Sequence, residues 1–269
     1  MDNLYLIVSD VDGTLAYDAA TISAGTKAAV NRLLAAGHLF YLATGRMYNL
    51  AALMAAQIGP GAEIIAANGA VYDFGGSRVH HLLGEPAITA IEAACAAHDL
   101  AALYFTDDMV YYTTPPAQAI QDMLTHFAPA SAQVGVEQLE AAALGQRAGA
   151  IANAIVFSLD DPVGLAAVAA KLKREPALAV SASDPTNLEL IPHQVDKANA
   201  IAELQAKTGI PPARTIAFGD GLNDLGMLQA AGISVAMGNA VPAVKAAARY
   251  QTVSNKEDGV AQFLNHFFA

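Results

Sequence analysis

The chain has 269 residues, 54% of them apolar, one cysteine, and a net charge of −11 from 14 Lys and Arg against 25 Asp and Glu. That length and apolar content can bury a large core in one long or two ordinary domains, which excludes a disordered chain. The acidity, without any basic run, excludes a nucleic-acid or anionic-membrane partner, and every apolar stretch is broken well before the ~18 residues that a membrane span needs.

Apolar stretches alternate with amphipathic ones from the start, the pattern of an α/β protein with parallel strands. Leu4 to Ser9 forms a first strand, and the polar string Asp10-Val11-Asp12-Gly13-Thr14 follows it. Ser23 caps a helix with Val30, Leu33 and Leu34 on its apolar face and Gly37 at its end. "HLFYLATGR" is a strand running into Thr44-Gly45-Arg46, "NLAALMAAQIGP" a helix, and "EIIAANGA" a strand ending near Asn68-Gly69. "VYDFGGSRVHH" then reads as a hairpin turning at Gly75-Gly76 and leading away from the sheet.

The pattern changes between about Gly84 and Pro185. There the chain predicts a helix with Ile88 and Ile91, strands "LAALYFT" and "MVYYTT" around Asp107-Asp108, and a helix opened by Pro115-Pro116. After a less regular stretch come strand "NAIVFSL", helix "PVGLAAVAAKLKRE" and strands "ALAVSAS" and "NLELIP". Cys95, in Ala-rich "IEAACAAHDL" at helical spacing from Ile88 and Ile91, suits a buried apolar position better than a catalytic thiol. The parallel pattern resumes with a helix from Asp196 to Lys207, strand "RTIAFGD", helix "NDLGMLQAAG", strand "ISVAM", and helices in "AVPAVKAAAR" and "GVAQFLNHFF". The expected architecture is a doubly wound, mainly parallel α/β sheet formed by residues 1–83 and 186–269, with a smaller α+β domain of residues 84–185 inserted into it. The absence of a signal-type segment and of a cysteine pair makes a reducing cytoplasm the expected location, with a monomer or homodimer as the expected state.

In such a sheet, ligands collect at the carboxyl ends of the strands, where strand order reverses. Asp10 and Asp12 stand at one of those ends, and Asp220 and Asp224 of "GDGLND" at another. An EF-hand reading of the first loop fails, because Leu15 and Thr21 hold the positions that need Gly and Glu. Several carboxylates gathered at one sheet edge require a cation, and hard oxygen donors with open positions suit Mg²⁺. Thr44 and Gly45 offer a hydroxyl and an approachable N–H to a phosphate oxygen, and Lys197 opens the helix after "IPHQVD".

Taken in order, "DVDGTL", "ATGR", "AANGA", "DKANA", "FGDGLND", "VAMGNA" and "SNKEDGVA" resemble the haloacid dehalogenase-like phosphotransferases, and among them the Cof-type sugar-phosphate phosphatases with an inserted α/β cap. Gln194 and Ala198 depart from the pattern, standing where small glycines are expected around the lysine. The resemblance implies a phosphatase of small phosphorylated metabolites, with Asp10 as nucleophile and Asp12 as general acid/base. It also implies Mg²⁺ held by Asp10, the Asp12 carbonyl and Asp220, with Asp224 helping directly or through water, and phosphate or substrate held by Thr44, Gly45, Lys197 and Asn223. Arg46 either touches substrate or forms a salt bridge that ties its loop down. A cap would close over the site, with Asp107, Asp108, Tyr112 and His193 as candidate contacts. Two alternatives remain open at this point: a sugar-phosphate phosphomutase or phosphotransferase, and a non-catalytic protein that signals through a phosphorylated Asp or senses a sugar phosphate.

Overall fold

The structure is a computed structural model, and it describes residues 4–18, 20–126, 128–182 and 185–269. The chain divides into two compact units, one of Met1–Arg46, Ala51–Val79 and Asp196–Ala269, the other of Met47–Leu50 and His80–Val195. Along the chain come β1 (Leu6–Asp10), a short helical loop (Val11–Leu15), α1 (Ala24–Ala35), β2 (Leu39–Ala43), α2 (Tyr48–Ile58), β3 (Ala62–Ala66), β4 (Val71–Phe74) and β5 (Ser77–His80). The second unit carries α3 (Gly84–Ala96), β6 (Ala101–Phe105), β7 (Met109–Tyr112), α4 (Gln118–His126), β8 (Gly135–Gln138) and α5 (Ala141–Gln146). It continues with β9 (Asn153–Phe157), α6 (Pro162–Leu172), β10 (Leu178–Ser181) and β11 (Asn187–Pro192). The first unit resumes with α7 (Lys197–Thr208), β12 (Thr215–Gly219), α8 (Leu225–Ala230), β13 (Ile233–Ala236), α9 (Pro242–Ala247), β14 (Tyr250–Gln251) and α10 (Gly259–Phe267).

The first unit is built on an eight-stranded sheet in the order β14-β13-β12-β1-β2-β3-β4-β5. Strands β14 through β3 run parallel, and β4 turns antiparallel to β3. Every residue of β1 and β12 is buried, as expected for central strands covered on both faces, which is why they read as unbroken apolar runs rather than alternating ones. From β1 the chain winds outward to β2 and β3, and on its return outward from β12 to β13 and β14. The switch point therefore falls between β1 and β12.

Local chemistry accounts for the helix ends. The Ser23 hydroxyl accepts the Thr26 N–H at 3.0 Å at the start of α1, and the Asp196 carboxylate accepts the Asn199 N–H at 2.7 Å at the start of α7. Gly209 closes α7 in the left-handed conformation.

The structure corrects the sequence reading in places. The hairpin of β4 and β5 does not leave the sheet but extends it, since Val71 and Tyr72 are buried and pair with Ala66 and Ile65. Strand β14, two residues long, carries too short a pattern to be seen in sequence. The helix expected at Pro115-Pro116 begins at Gln118. The boundaries expected at 83/84 and 185/186 become 79/80 and 195/196, because β11 pairs with β9 and β10 and so belongs with the second unit. Expected strand "ALAVSAS" is observed as Leu178–Ser181, and its Ser183 lies outside the described residues.

The second unit has a six-stranded sheet in the order β10-β11-β9-β6-β7-β8, antiparallel except for β7 with β8. Ile88, Ile91 and Cys95 of α3 pack with Leu165, Val168 and Leu172 of α6 over one face, together with Tyr104, Val156 and Leu190 from the strands. Cys95 is thus a core residue, and burial pushes its thiol up to about 12, out of nucleophilic range.

Candidate active site

The parallel register brings three loops to one sheet edge. Asp10 lies opposite Ala43 of β2, and Ser9 lies opposite Phe218 of β12, so Thr44 and Asp220 begin the loops on either side of Asp10. Gly13, at φ +83°, makes the close approach possible: a Cβ there would lie 2.4 Å from Asp220 Oδ2. The Thr14 hydroxyl donates to Asp220 Oδ1 at 2.7 Å, fastening the two acidic loops together.

Lys197 stands at the centre. Its ammonium donates to Asp10 Oδ1 at 2.5 Å and to Asp224 Oδ1 at 2.9 Å, and the residue is 2% exposed. Asp224 Oδ2 accepts the backbone N–H groups of Asp220 and Gly221, each at 3.0 Å, so one carboxylate folds its own loop and anchors the lysine. Burial opposes the charges of Asp10, Asp220 and Lys197. It pushes Asp10 up to about 7 against the pull of Lys197, and it also raises Asp220. Burial tends to lower Lys197 as well, but Asp10 and Asp224 outweigh it and hold the ammonium above the ordinary lysine range.

Oxygens of Asp10, Asp220 and Asp224 lie within 4.8 Å of one another. Three carboxylates beside one buried ammonium leave an excess of negative charge in a poorly solvated place. An all-oxygen donor set with that excess fits a hard divalent cation.

The remaining predicted residues fall at the same edge with different partners. Thr44 is buried, and its hydroxyl accepts the Arg46 N–H at 3.2 Å; Gly45 and Asn223 are exposed. Arg46, expected either to touch substrate or to tie its loop down through a salt bridge, places its guanidinium on the Asp12 carboxylate, with Nε at 3.0 Å and Nη2 at 2.5 Å from its oxygens. The Asp12 side chain remains 53% exposed.

Asn68 is a residue that sequence reading noted only as part of a polar loop. Its N–H donates to the Thr44 carbonyl at 3.0 Å, and its amide covers Gly45, where a Cβ would meet Asn68 Oδ1 at 3.2 Å. Both Ala67 and Asn68 adopt positive φ, 48° and 53°. The next residue, Gly69, sets the start of α7: a Cβ at its φ of +102° would lie 2.2 Å from the Asp196 carbonyl oxygen. Gly69→Ala must displace the helix end that carries Lys197, so it is expected to cost about 2 kcal/mol or more, read as a lowered urea midpoint with an unchanged slope.

Within the second unit, the four candidate contacts have structural partners or positions of their own. Asp107 faces His80 Nε2 at 3.0 Å, and Asp108 accepts the Thr106 hydroxyl at 3.1 Å. Tyr112 packs against the cluster of Leu103, Val110 and Ile120, and His193 is exposed, its N–H bonded to the Ala177 carbonyl. Gln194 takes φ +60°, where glycine would be unstrained, which accounts for its standing out in the sequence. Ala198 lies where α7 meets α8: a Cβ on Gly226 would be 3.4 Å from that of Ala198, so small side chains suit this contact.

Residues 7–264 match the model of the haloacid dehalogenase-like hydrolase family. The 5-amino-6-(5-phospho-D-ribitylamino)uracil phosphatase YitU of Bacillus subtilis is 30% identical over 98% of this chain and 98% of its own. The pyridoxal phosphate phosphatase YbhA of Escherichia coli is 27% identical over 96% of this chain and 97% of its own. The crystal structure of a haloacid dehalogenase-like hydrolase from Bacteroides thetaiotaomicron superposes with a TM-score of 0.82 at 26% identity, covering 98% of this chain and 100% of that one. With that match over nearly its whole length, and with acidic loops and a buried lysine at the switch point of a doubly wound sheet, the chain belongs to the haloacid dehalogenase-like hydrolases, as an enzyme whose relatives are phosphatases.

Proposed function

We propose that the protein is a Mg²⁺-dependent phosphatase of small phosphorylated metabolites, sugar phosphates and similar phosphorylated alcohols, working through an aspartyl-phosphate on Asp10. The observation that carries this reading is the buried Lys197 ammonium, held between Asp10 and Asp224 with Asp220 beside them. The relatives' names support the substrate class, since a phosphorylated ribityl compound and pyridoxal phosphate are both small phosphate monoesters.

In the proposed reaction an Asp10 oxygen attacks phosphorus, the ester P–O bond breaks, and its electron pair leaves with the alcohol oxygen, which takes a proton from Asp12. Water then attacks the aspartyl-phosphate phosphorus, Asp12 takes the water's proton, and inorganic phosphate leaves with the Asp10 carboxylate restored. Asp10, Asp220 and the Asp12 carbonyl would hold Mg²⁺; Asp224, already engaged with Lys197 and two N–H groups, contributes mainly as their anchor. When bound, the ion neutralises charge on the phosphoryl oxygens. Lys197, the Thr44 hydroxyl, the Gly45 N–H and Asn223 take up the same oxygens, a division of labour suited to a reaction that asks mainly for positioning and charge stabilisation. Arg46, with two hydrogen bonds to Asp12, keeps the acid/base aimed. The second unit serves as the specificity domain.

The test is inorganic phosphate release from a panel of phosphorylated sugars, sugar alcohols, nucleotides and cofactors, with Mg²⁺ and with chelator. Release from some members, abolished by chelator, is the expected result. Isomerisation without release would mark a mutase, and a stable phosphoprotein would mark a signalling role.

A further inference from the structure

Two observations outside the predicted site converge on Asp220. The loop after β13 is bolted to the end of β12 by backbone bonds, Met237 N–H to the Gly219 carbonyl and Val241 N–H to the Asp220 carbonyl, both at 3.1 Å. From that loop the Asn239 side-chain amide reaches the opposite acidic loop, donating to the Gly13 carbonyl at 2.8 Å with Asp220 Oδ2 at 3.4 Å. The orientation of the amide is set from behind, because the Asn255 N–H donates to Asn239 Oδ1 at 3.2 Å. With that oxygen engaged as acceptor, the NH₂ group must face Gly13 and Asp220. Asn255 in turn donates through its own Nδ2 to the Ala16 carbonyl at 2.8 Å, and Lys256 donates to the Tyr17 carbonyl while its ammonium lies 4.2 Å from the Tyr17 ring centroid. Gly238 permits this crossing, since a Cβ there would lie 2.7 Å from the Ser254 nitrogen.

We infer that Asn239 is a positioning residue for the metal-binding carboxylate of Asp220, oriented by the Asn255 backbone N–H, which the Asn255 side chain holds in place through the Ala16 carbonyl. Thr14 engages Oδ1 of Asp220, and Asn239 lies at Oδ2. Between them the carboxylate is restrained in rotation without being neutralised by a cation, so its charge stays available. Residues that orient a ligand in this way commonly alter metal affinity about 10–100-fold when removed. Asn239 is exposed, so water competes for its hydrogen bonds and the lower part of that range is expected.

This inference rests on the Mg²⁺ reading above, and the experiment separates the two. Mg²⁺ is titrated calorimetrically into the full chain as wild type, Asn239→Ala, Asn239→Leu and Asn255→Ala, and each melting temperature is measured in chelator. The expected result is a Kd for Mg²⁺ raised about tenfold in both Asn239 variants and by less in Asn255→Ala, with melting temperatures in chelator close to wild type. Leu keeps the branching of Asn, fills at least its space and has no donor, so a Leu variant that binds like wild type while Ala does not would make Asn239 a packing residue and overturn the assignment. Wild-type affinity in both Asn239 variants would overturn it too. A wild type that takes up no Mg²⁺ would overturn the metal reading itself, and the role of Asn239 with it.

Discussion

Asp10→Asn is expected to lower phosphate release about 10⁴-fold or more, to the limit of detection, while the protein folds and melts at or above the wild-type temperature in chelator. Both halves follow from the surroundings of Asp10. An amide oxygen is too weak a nucleophile to displace an alcohol from phosphorus, so no aspartyl-phosphate can form. The carboxylate it replaces is buried, lies near Asp220 and Asp224, and is pushed up to about 7 by burial even against the pull of Lys197. An isosteric neutral group relieves that repulsion and still offers an oxygen to Lys197. Phosphate release and a thermal melt on the same preparation check the prediction. Near wild-type release from a folded, pure variant would remove Asp10 from the nucleophile's role.

Lys197→Met is expected to be the most damaging single change to stability, about 3–5 kcal/mol, because it strands two carboxylates that share one buried cation. For a chain of this size that is a fall of about 6–20 °C in melting temperature. The loss also has a pH signature. Asp10 goes from 3.8 in the unfolded chain to about 7 in the folded protein, so the folded state holds a proton that the unfolded state releases. Stability from that site falls as pH rises from about 4 to 7, and without Lys197 to favour the ionised form the fall continues to higher pH. Denaturant unfolding in chelator at pH 5 and pH 8 checks this: the gap between variant and wild type should widen at the higher pH. A gap that is small and independent of pH would mean that Lys197 is not the counter-charge of Asp10.

The β1–β2–β3 core and the return through β12 and β13 were legible because buried parallel strands read as continuous apolar runs bounded by polar turns. The β4–β5 hairpin was misplaced for the opposite reason. Its Gly75-Gly76 turn is a local signal, but pairing with β3 is a long-range choice made by burying Val71 and Tyr72. Lys197 illustrates the same limit at the site. Taken alone in sequence it is indistinguishable from a solvated lysine, yet it is one of the most buried large side chains in the protein.

By itself the sequence determined which residue types stand at the strand ends, and in what order: Asp10 and Asp12, Thr44 to Arg46, then Asp220, Asn223 and Asp224. Strand ends and turns are written locally, in periodicity and in glycine, so these positions needed no partner to be found. Only the tertiary structure decided how they are used. It set Lys197 against Asp10 across 187 residues of chain, closed Arg46 onto Asp12, laid Asn68 over Gly45, and brought Asn239 to Gly13 across 226 residues. Those pairings depend on which strand neighbours which and on how closely two loops can approach. Both are properties of packing, to which no short stretch of sequence is sensitive.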